Sequence, residues 1–451
     1  MNALLYLGLM LVVMIGWFAL LRRPVYEAAL VCFLFFVTLT GNWGNIWVYI
    51  DAALSTSLLY SMLSFTVMSV VLTKTKVIDS CIAVILAVAG RVTGGAGYAA
   101  VVSSAFMGAL SGSGPGNLMA TGSLTIPAMK RTGFPPELAA NVESNASYLG
   151  NMIPPSSNIV AAMGAFAAVY PATALSTGQF WVLLWSIAVY FITQRMLMVF
   201  AFCKYYKVKP MSREELPSLK ETLRNSWQGL LLPVIIIVPF ILDFLLKDGF
   251  FTQRLGAAGA KALSGSMLMF IGGVATIYTC LIAKDKKQVT PVALAKMMRN
   301  SYKTIAPTIV VCLFGYMLGE LFGDLEISEN LGALIGNLQF GKLGTVLVLC
   351  LLTCFMGMVI PGSSQVVIFG PMFITLLANV GVNPMLAAAM LPCICGVMSG
   401  ITPPLALGMY AGMAIAGSDF GKTVKNDLWW VSAQFLLQVV LLMGWVPVFG
   451  L

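Results

Sequence analysis

The chain has 451 residues, 59% of them hydrophobic and only 10% charged, and its mean hydropathy is +0.91. That balance excludes a soluble domain and marks an all-α polytopic membrane protein. The formal net charge of +9 does not point to nucleic acid, because Lys and Arg fall in short loops between apolar runs, the positive-inside pattern.

No histidine is present, which excludes a His proton relay, a Ser-His-Asp triad and a His-based metal site. The nine cysteines lie in apolar stretches and read as buried small hydrophobes rather than ligands or disulfides. No organic cofactor motif occurs. Gly112 to Gly116 is glycine-rich, but no Gly-Lys-Ser/Thr follows it, so it is not a phosphate loop.

A helix needs about 20 apolar residues to cross roughly 30 Å of hydrocarbon. In the first half, residues 1–226, scaffold crossings fall at 3–21, 24–43 and 51–73. The first has no basic n-region and ends at Arg22-Arg23, so it reads as a spanning helix and not a cleaved signal peptide. Residues 74–131 form a long apolar arm, a tip at Ser111-Gly112-Ser113-Gly114-Pro115-Gly116, and a return arm too short to cross. This unit predicts a re-entrant hairpin. A 34-residue run, 137–170, is interrupted by Pro154-Pro155, and a closing helix follows at 178–203.

The second half, residues 227–451, repeats that order. Scaffold crossings occupy 229–322 (229–246, 264–283 and 301–322), and a second hairpin covers about 331–380 with its tip at Pro361-Gly362-Ser363-Ser364. A second broken helix, 383–416, contains Pro403-Pro404, and 428–447 closes the half. A shift of 249 residues, the separation of Pro154 from Pro403, places Phe106-Met107-Gly108 on Phe355-Met356-Gly357 and Pro135 on Pro384. Ten crossings and two hairpins put every strongly basic loop, 204–227 and 284–303 included, on one side of the membrane. Both termini then face outward and the halves are inverted. Paired Gly/Pro-broken helices in corresponding halves point to the binding site of a secondary transporter.

Two successive prolines unwind a helix by removing a donor and clashing with the preceding turn. The freed carbonyls coordinate cations, and the N-terminus of the second half-helix attracts anions. At the tips, Ser111, Gly112 and Ser113, and Ser363 and Ser364, add hydroxyl oxygens and close backbone approach. Such a cage without carboxylates suits Na+. Candidate cargo or coupling contacts beside the breaks are Gly114, Asn117, Glu143, Asn145, Ser156 and Asn158. Glu143 would lie shallowly in the membrane, where a carboxylate is functional or paired by default. Arg195 and Glu320, near helix ends, are expected to snorkel.

The stretch from Thr121 through Pro127-Ala128-Met129-Lys130-Arg131-Thr132-Gly133-Phe134-Pro135-Pro136, with Asn151-Met152-Ile153-Pro154-Pro155, resembles the large membrane subunit of tripartite ATP-independent periplasmic (TRAP) transporters, within the ion transporter superfamily. Ile401-Thr402-Pro403-Pro404 and Ala414-Ile415-Ala416-Gly417 carry the resemblance into the second half. Val142-Glu143-Ser144 resembles most the TAXI branch, whose substrates include small carboxylates. The resemblance implies an elevator mechanism, a periplasmic substrate-binding protein, and Na+ as the co-transported ion. Its cation sites would involve Ser111, Ser113 and Asn151 to Pro154, and then Gly362, Ser363, Ser364 and Gly400 to Pro403, Thr402 included. Branch members often fuse a small four-helix subunit to the large one. This chain shows no such helices, so a separate small membrane subunit is expected.

The sequence therefore predicts a cation-coupled importer of small organic acids in the bacterial or archaeal cytoplasmic membrane, not an enzyme. The alternative is a stand-alone carboxylate symporter or antiporter of the same superfamily, proton-coupled through Glu143. A channel would need a continuous polar pore, and the polar signal is confined to the breaks.

Overall fold

The computed structural model describes residues 3–17, 21, 23–77, 79–111, 114–171, 173, 177–212, 218–325, 341–358, 360–403 and 406–451. Every regular element among them is helical. Gly112, Ser113, Pro404 and residues 331–340 of the second predicted hairpin lie outside the described residues, as does the side chain of Ser111.

Scaffold helices open the chain: α1 (Ala3–Ile15), α2 (Val25–Thr40), α3 (Ile46–Ser55) and α4 (Ser57–Thr75). The third predicted crossing is thus two helices, broken at Thr56, whose hydroxyl accepts from Leu58 N. The long arm of the first hairpin is also divided. Helix α5 (Asp79–Ala89) stops at a turn around Gly90–Gly94, and α6 (Gly95–Ser111) carries the arm to the tip, where α7 (Gly114–Arg131) returns. The first broken helix comprises α8 (Pro136–Ser147), a 3₁₀ turn (Tyr148–Asn151), an irregular stretch and α9 (Ser157–Val169). Helix α10 (Thr177–Tyr205) closes the half.

Between the halves lies α11 (Leu219–Leu230), an amphipathic helix packed on α5. The second scaffold set is α12 (Leu232–Leu246), α13 (Thr252–Ile282, kinked at Gly256), α14 (Pro291–Asn300) and α15 (Tyr302–Asp324). The second hairpin is α16 (Gly341–Gly357) and α17 (Gly362–Asn379). The second broken helix runs from α18 (Pro384–Leu391) through a π-helical segment (Pro392–Val397) and a short turn (Met398–Ile401) to α19 (Leu407–Ala416). Helix α20 (Phe420–Met443) ends the order.

Six described helices are by themselves long and apolar enough to cross a membrane, or seven if the bent pair Leu219–Leu230 and Leu232–Asp243 is one span. One of the six, Gly362–Asn379, is the return arm of the second hairpin, which the sequence predicts to be too short to cross, and several crossings are assembled from shorter pieces, so apolar run length alone locates the spans only coarsely. Start signals are local and strong. Pro136 and Pro384 occupy the first turns of the two broken helices, where a missing N–H costs nothing. Asn383 accepts from Met385 N at 2.9 Å and Leu386 N at 3.3 Å to cap the second.

Helices α2, α3, α4, α13 and α15 pack on one another as a scaffold, and Tyr49 Oη donates to Asp324 Oδ2 at 2.7 Å within it. The hairpins and broken helices form a second body, joined crosswise. The return arm α7 packs on α19 of the other half, and the return arm α17 packs on α9. Lys130 Nζ, ending the first hairpin, donates to Ala416 O at 2.6 Å and so neutralises the carbonyl end of α19. The two bodies meet where α4 and α15 touch α9, and α15 touches α17.

Close backbone approach sets this packing. A Cβ built on Gly108 would lie 2.2 Å from Gly150 Cα, and one on Gly357 would lie 3.0 Å from Ser399 Cα. The 249-residue shift carries the first pair of positions onto the second. Gly108→Ala should therefore lower stability by about 1–3 kcal/mol through overpacking. Gly8→Ala, in open space, should be neutral or slightly stabilising because glycine is a poor helix former. Thermal unfolding of the purified variants in one detergent checks the contrast.

Candidate functional site

Each break is stitched closed by short side chains. Ser156 caps α9 by accepting from Asn158 N at 3.3 Å, and its hydroxyl donates to Asn151 O at 3.2 Å, so one residue serves both half-helices. Asn151 Nδ2 donates to Gly396 O at 3.1 Å and ties the first break to the π-helical segment of the second. At the second tip, Gly362 N donates to Ser399 Oγ at 2.9 Å, and that hydroxyl donates to Gly396 O at 3.2 Å. Thr402 Oγ1 donates back to Met398 O at 2.7 Å.

Tyr148 occupies the centre. Its ring lies against Gly114 of the first tip and against Gly400 and Gly408 on either side of the second break. A Cβ on Gly400 would come within 1.8 Å of the ring, and one on Gly408 within 2.3 Å. Gly400 is thus required by the ring's volume, a role independent of any carbonyl ligation.

The return arms share a further feature. Asn117 is the fourth residue of α7 and Gln365 the fourth of α17. Asn117 Nδ2 donates to Ser104 O at 2.7 Å and Ser147 O at 2.9 Å; Gln365 Nε2 donates to Ile360 O at 2.8 Å. Both amide oxygens are buried and have no hydrogen-bond partner among the described residues. A buried acceptor without a donor costs free energy, and here there is one beside each tip.

A cavity of about 430 Å³ separates these elements from the scaffold. From the breaks and tips it is lined by Gly114, Gly116, Tyr148, Asn151, Ser157, Asn158, Pro361, Gly362, Ser363, Ser399 and Leu407. The scaffold supplies Thr66, Ser69, Val70, Thr73 and Lys74 from α4, with Asn300, Ser301 and Thr308 opposite. Among the described lining residues Lys74 is the one charged group. No cluster of three or more acidic, Cys or His side chains suited to a metal ion occurs among the described residues. The oxygens on offer are hydroxyl, amide and backbone.

Of the residues singled out by the sequence, Gly114, Asn151, Asn158, Gly362 and Ser363 line this cavity. Pro154, Ser364, Gly400, Thr402, Pro403, Asn117 and Ser156 stand in or beside the breaks without lining it.

Glu143 and Asn145 lie elsewhere. Glu143 is fully buried within the protein and is met by four hydroxyls. Its Oε1 accepts from Ser104 at 2.6 Å, from Ser147 at 3.0 Å and from Thr121, and its Oε2 accepts from Thr125. These partners bind α8 to both arms of the first hairpin. Asn145 Nδ2 donates to Asp427 Oδ1 at 2.9 Å and so joins α8 to α20.

Arg195 does not snorkel: it is fully buried, in the electrostatic field of Asp427 and over the Phe191 ring at 5.7 Å. Glu320 is exposed at the end of α15. The scaffold wall of the cavity was missed, as were Tyr148, Gln365 and Ser399. The signal for the wall was a small-polar stripe, Thr66, Ser69 and Thr73, at helical spacing within an apolar run.

Two bodies, two broken helices with their hairpins, and a polar cavity between them define a polytopic membrane transporter. The description "Tripartite ATP-independent periplasmic transporter, DctM component" matches residues 4–449, and the chain belongs to that family. It is similar to the C4-dicarboxylate TRAP transporter large permease DctM of Pseudomonas aeruginosa, at 24% identity over 80% of this chain and 78% of that one. The DctM of Vibrio cholerae is 26% identical over 80% and 78% of the two chains. The isethionate TRAP permease DctMQ of Oleidesulfovibrio alaskensis is 24% identical over 79% of this chain and 52% of its own length. Among solved structures, the Alcanivorax borkumensis YdaH transporter superposes with a TM-score of 0.62 at 18% identity, covering 91% of this chain and 88% of that one. That likeness concerns the fold alone.

The Tyr148 cradle predicts a coupled pair. Gly400→Ala should destabilise the protein strongly, whereas in a Tyr148→Ala background the same change should cost far less. Equal losses in both backgrounds, measured as unfolding free energies, would show that the ring is not what excludes a side chain at Gly400.

Proposed function

We propose that this chain imports small carboxylates across the cytoplasmic membrane, driven by Na+, as the cargo-moving subunit beside a periplasmic binding protein and a small four-helix membrane subunit. The observation that carries the reading is the cavity. Hydroxyl and amide groups surround it and one cation, Lys74, stands in its wall, a composition suited to a small organic anion. Relatives named for C4-dicarboxylates and 2,3-diketo-L-gulonate support a carboxylate cargo, and one named for isethionate, a sulfonate, supports the wider class of small organic anions.

Electrical cost explains the need for coupling. Each charge moved across 100 mV is worth about 2.3 kcal/mol, so a dianion entering a negative-inside cell needs two cations to be electrically neutral. The unpartnered oxygens of Asn117 and Gln365 supply one ligand at each of two such sites, completed by the tip and break carbonyls. Na+ is favoured over a proton on Glu143, because that carboxylate is enclosed by hydroxyls behind the cavity wall. Lys74 belongs to the basic side of the membrane by the charge rule, so the open cavity corresponds to a cytoplasm-facing state. Movement of the hairpin body against α4 and α15 would turn it outward, as an elevator.

Uptake of a carboxylate panel into proteoliposomes, with the partner subunits added, tests the reading. Replacing Na+ by choline should reduce uptake to background; unchanged uptake would remove sodium from the mechanism. Gln365→Ala and Asn117→Ala should each raise the Na+ concentration for half-maximal uptake about tenfold, the loss of roughly 1.4 kcal/mol of ligation. Lys74→Gln should raise the carboxylate KM by a similar factor while leaving the Na+ dependence unchanged, since it removes one charge-assisted contact of about 1.5 kcal/mol.

A further inference from the structure

A second large concavity lies away from the cargo cavity, where the last turns of α10 run beside the first turns of α20. Its volume is about 790 Å³. Lys422, Lys425 and Trp429 line it from one face of α20, and Met198, Phe202 and Tyr205 from one face of α10. The arrangement is graded. The two lysines and Tyr205 stand at the helix ends, while Met198 and the small Ala433 lie deeper along the same helices. Lys422 to Ala433 spans eleven residues, about 16 Å of helix at 1.5 Å per residue. Both lysines are exposed, as are Tyr205 at 78% and Trp429 at 69%.

Cations and amphipathic rings at the end of a span, with an apolar floor a few turns deeper, match the headgroup and acyl levels of one bilayer leaflet. A soluble ligand would not need the deep apolar floor, and an apolar helix would leave two lysines unpaired. Glu137 also lines the groove, and against two lysines it leaves one net positive charge. We propose that this groove binds an anionic phospholipid of the cytoplasmic leaflet, its phosphate between Lys422 and Lys425 and an acyl chain over Phe202 and Met198. The side assigned to it rests on the basic ends facing the cytoplasm; the site itself is independent of the cargo reading.

Native mass spectrometry of the purified full chain, supplied with phosphatidylglycerol or phosphatidylcholine, tests the site without using transport. Phosphatidylglycerol should be retained through delipidation and phosphatidylcholine should not. Lys422→Gln/Lys425→Gln should reduce retention at least fivefold, whereas Lys220→Gln/Arg224→Gln on α11 should leave it unchanged. Ala433→Trp, which fills the floor and keeps both lysines, should also reduce retention, separating a built groove from a merely basic surface. Equal retention of the two lipids, or no loss in either groove variant, would overturn the site. So would efficient cross-linking of Trp429→Cys to the small membrane subunit, which would show that protein covers the groove.

Discussion

Helix ends buried at membrane depth are the constraint on which this structure depends. A backbone group left without a partner in hydrocarbon costs several kcal/mol, and each broken helix exposes several such groups. Here they are met both within each half and across the repeat boundary: Ser156 donates to Asn151 O and Ser399 takes the N–H of Gly362 inside their own halves, while Asn151 of the first half reaches Gly396 O of the second. The crosswise packing of α7 on α19 and α17 on α9 brings the two breaks together, while Gly108 against Gly150 and Gly357 against Ser399 hold each hairpin on the broken helix of its own half.

Stitching of this kind leaves a particular chemistry behind. Small side chains spend their donors on carbonyls, so what remains in excess is acceptor oxygen, as at Asn117 and Gln365. Excess acceptors in a buried site favour a cation. An anion needs a different environment, and the proposed cargo contacts lie one layer further out, where hydroxyls of α4 and Lys74 face the breaks across the cavity. On the proposed function, cations held within the stitched body and an anion held at its boundary with the scaffold would move together.

The architecture was legible because proline and glycine act locally. Pro154-Pro155 and Pro403 mark the breaks regardless of context, and the Gly/Ser tips mark the turns between arms. Half-helix boundaries and the divided first arm were less visible, because the short polar interruptions Ser55-Thr56-Ser57 and Gly90-Arg91-Val92-Thr93-Gly94 stand between long apolar runs. Of the site, residues next to a break were found, and residues defined by tertiary contact were not. Tyr148 read as one aromatic among many until three glycines were seen to surround it. Arg195 lies within a long apolar helix, and only the fold shows it fully buried beside the Phe191 ring. Glu143 stood out in the sequence as an intramembrane carboxylate, but only the fold shows four hydroxyls satisfying it.

The most direct measurement is thermal unfolding of the purified chain against Na+ concentration, with K+ and choline at matched ionic strength. An ion that binds only the folded state adds on the order of 2–3 kcal/mol per site at about 100 times its dissociation constant. The expected result is a rise in Tm with Na+ alone, reduced in part by Asn117→Ala or Gln365→Ala and abolished when both are changed. The same Tm in all three salts, or a full sodium shift in the double variant, would contradict cation sites built from the stitched breaks.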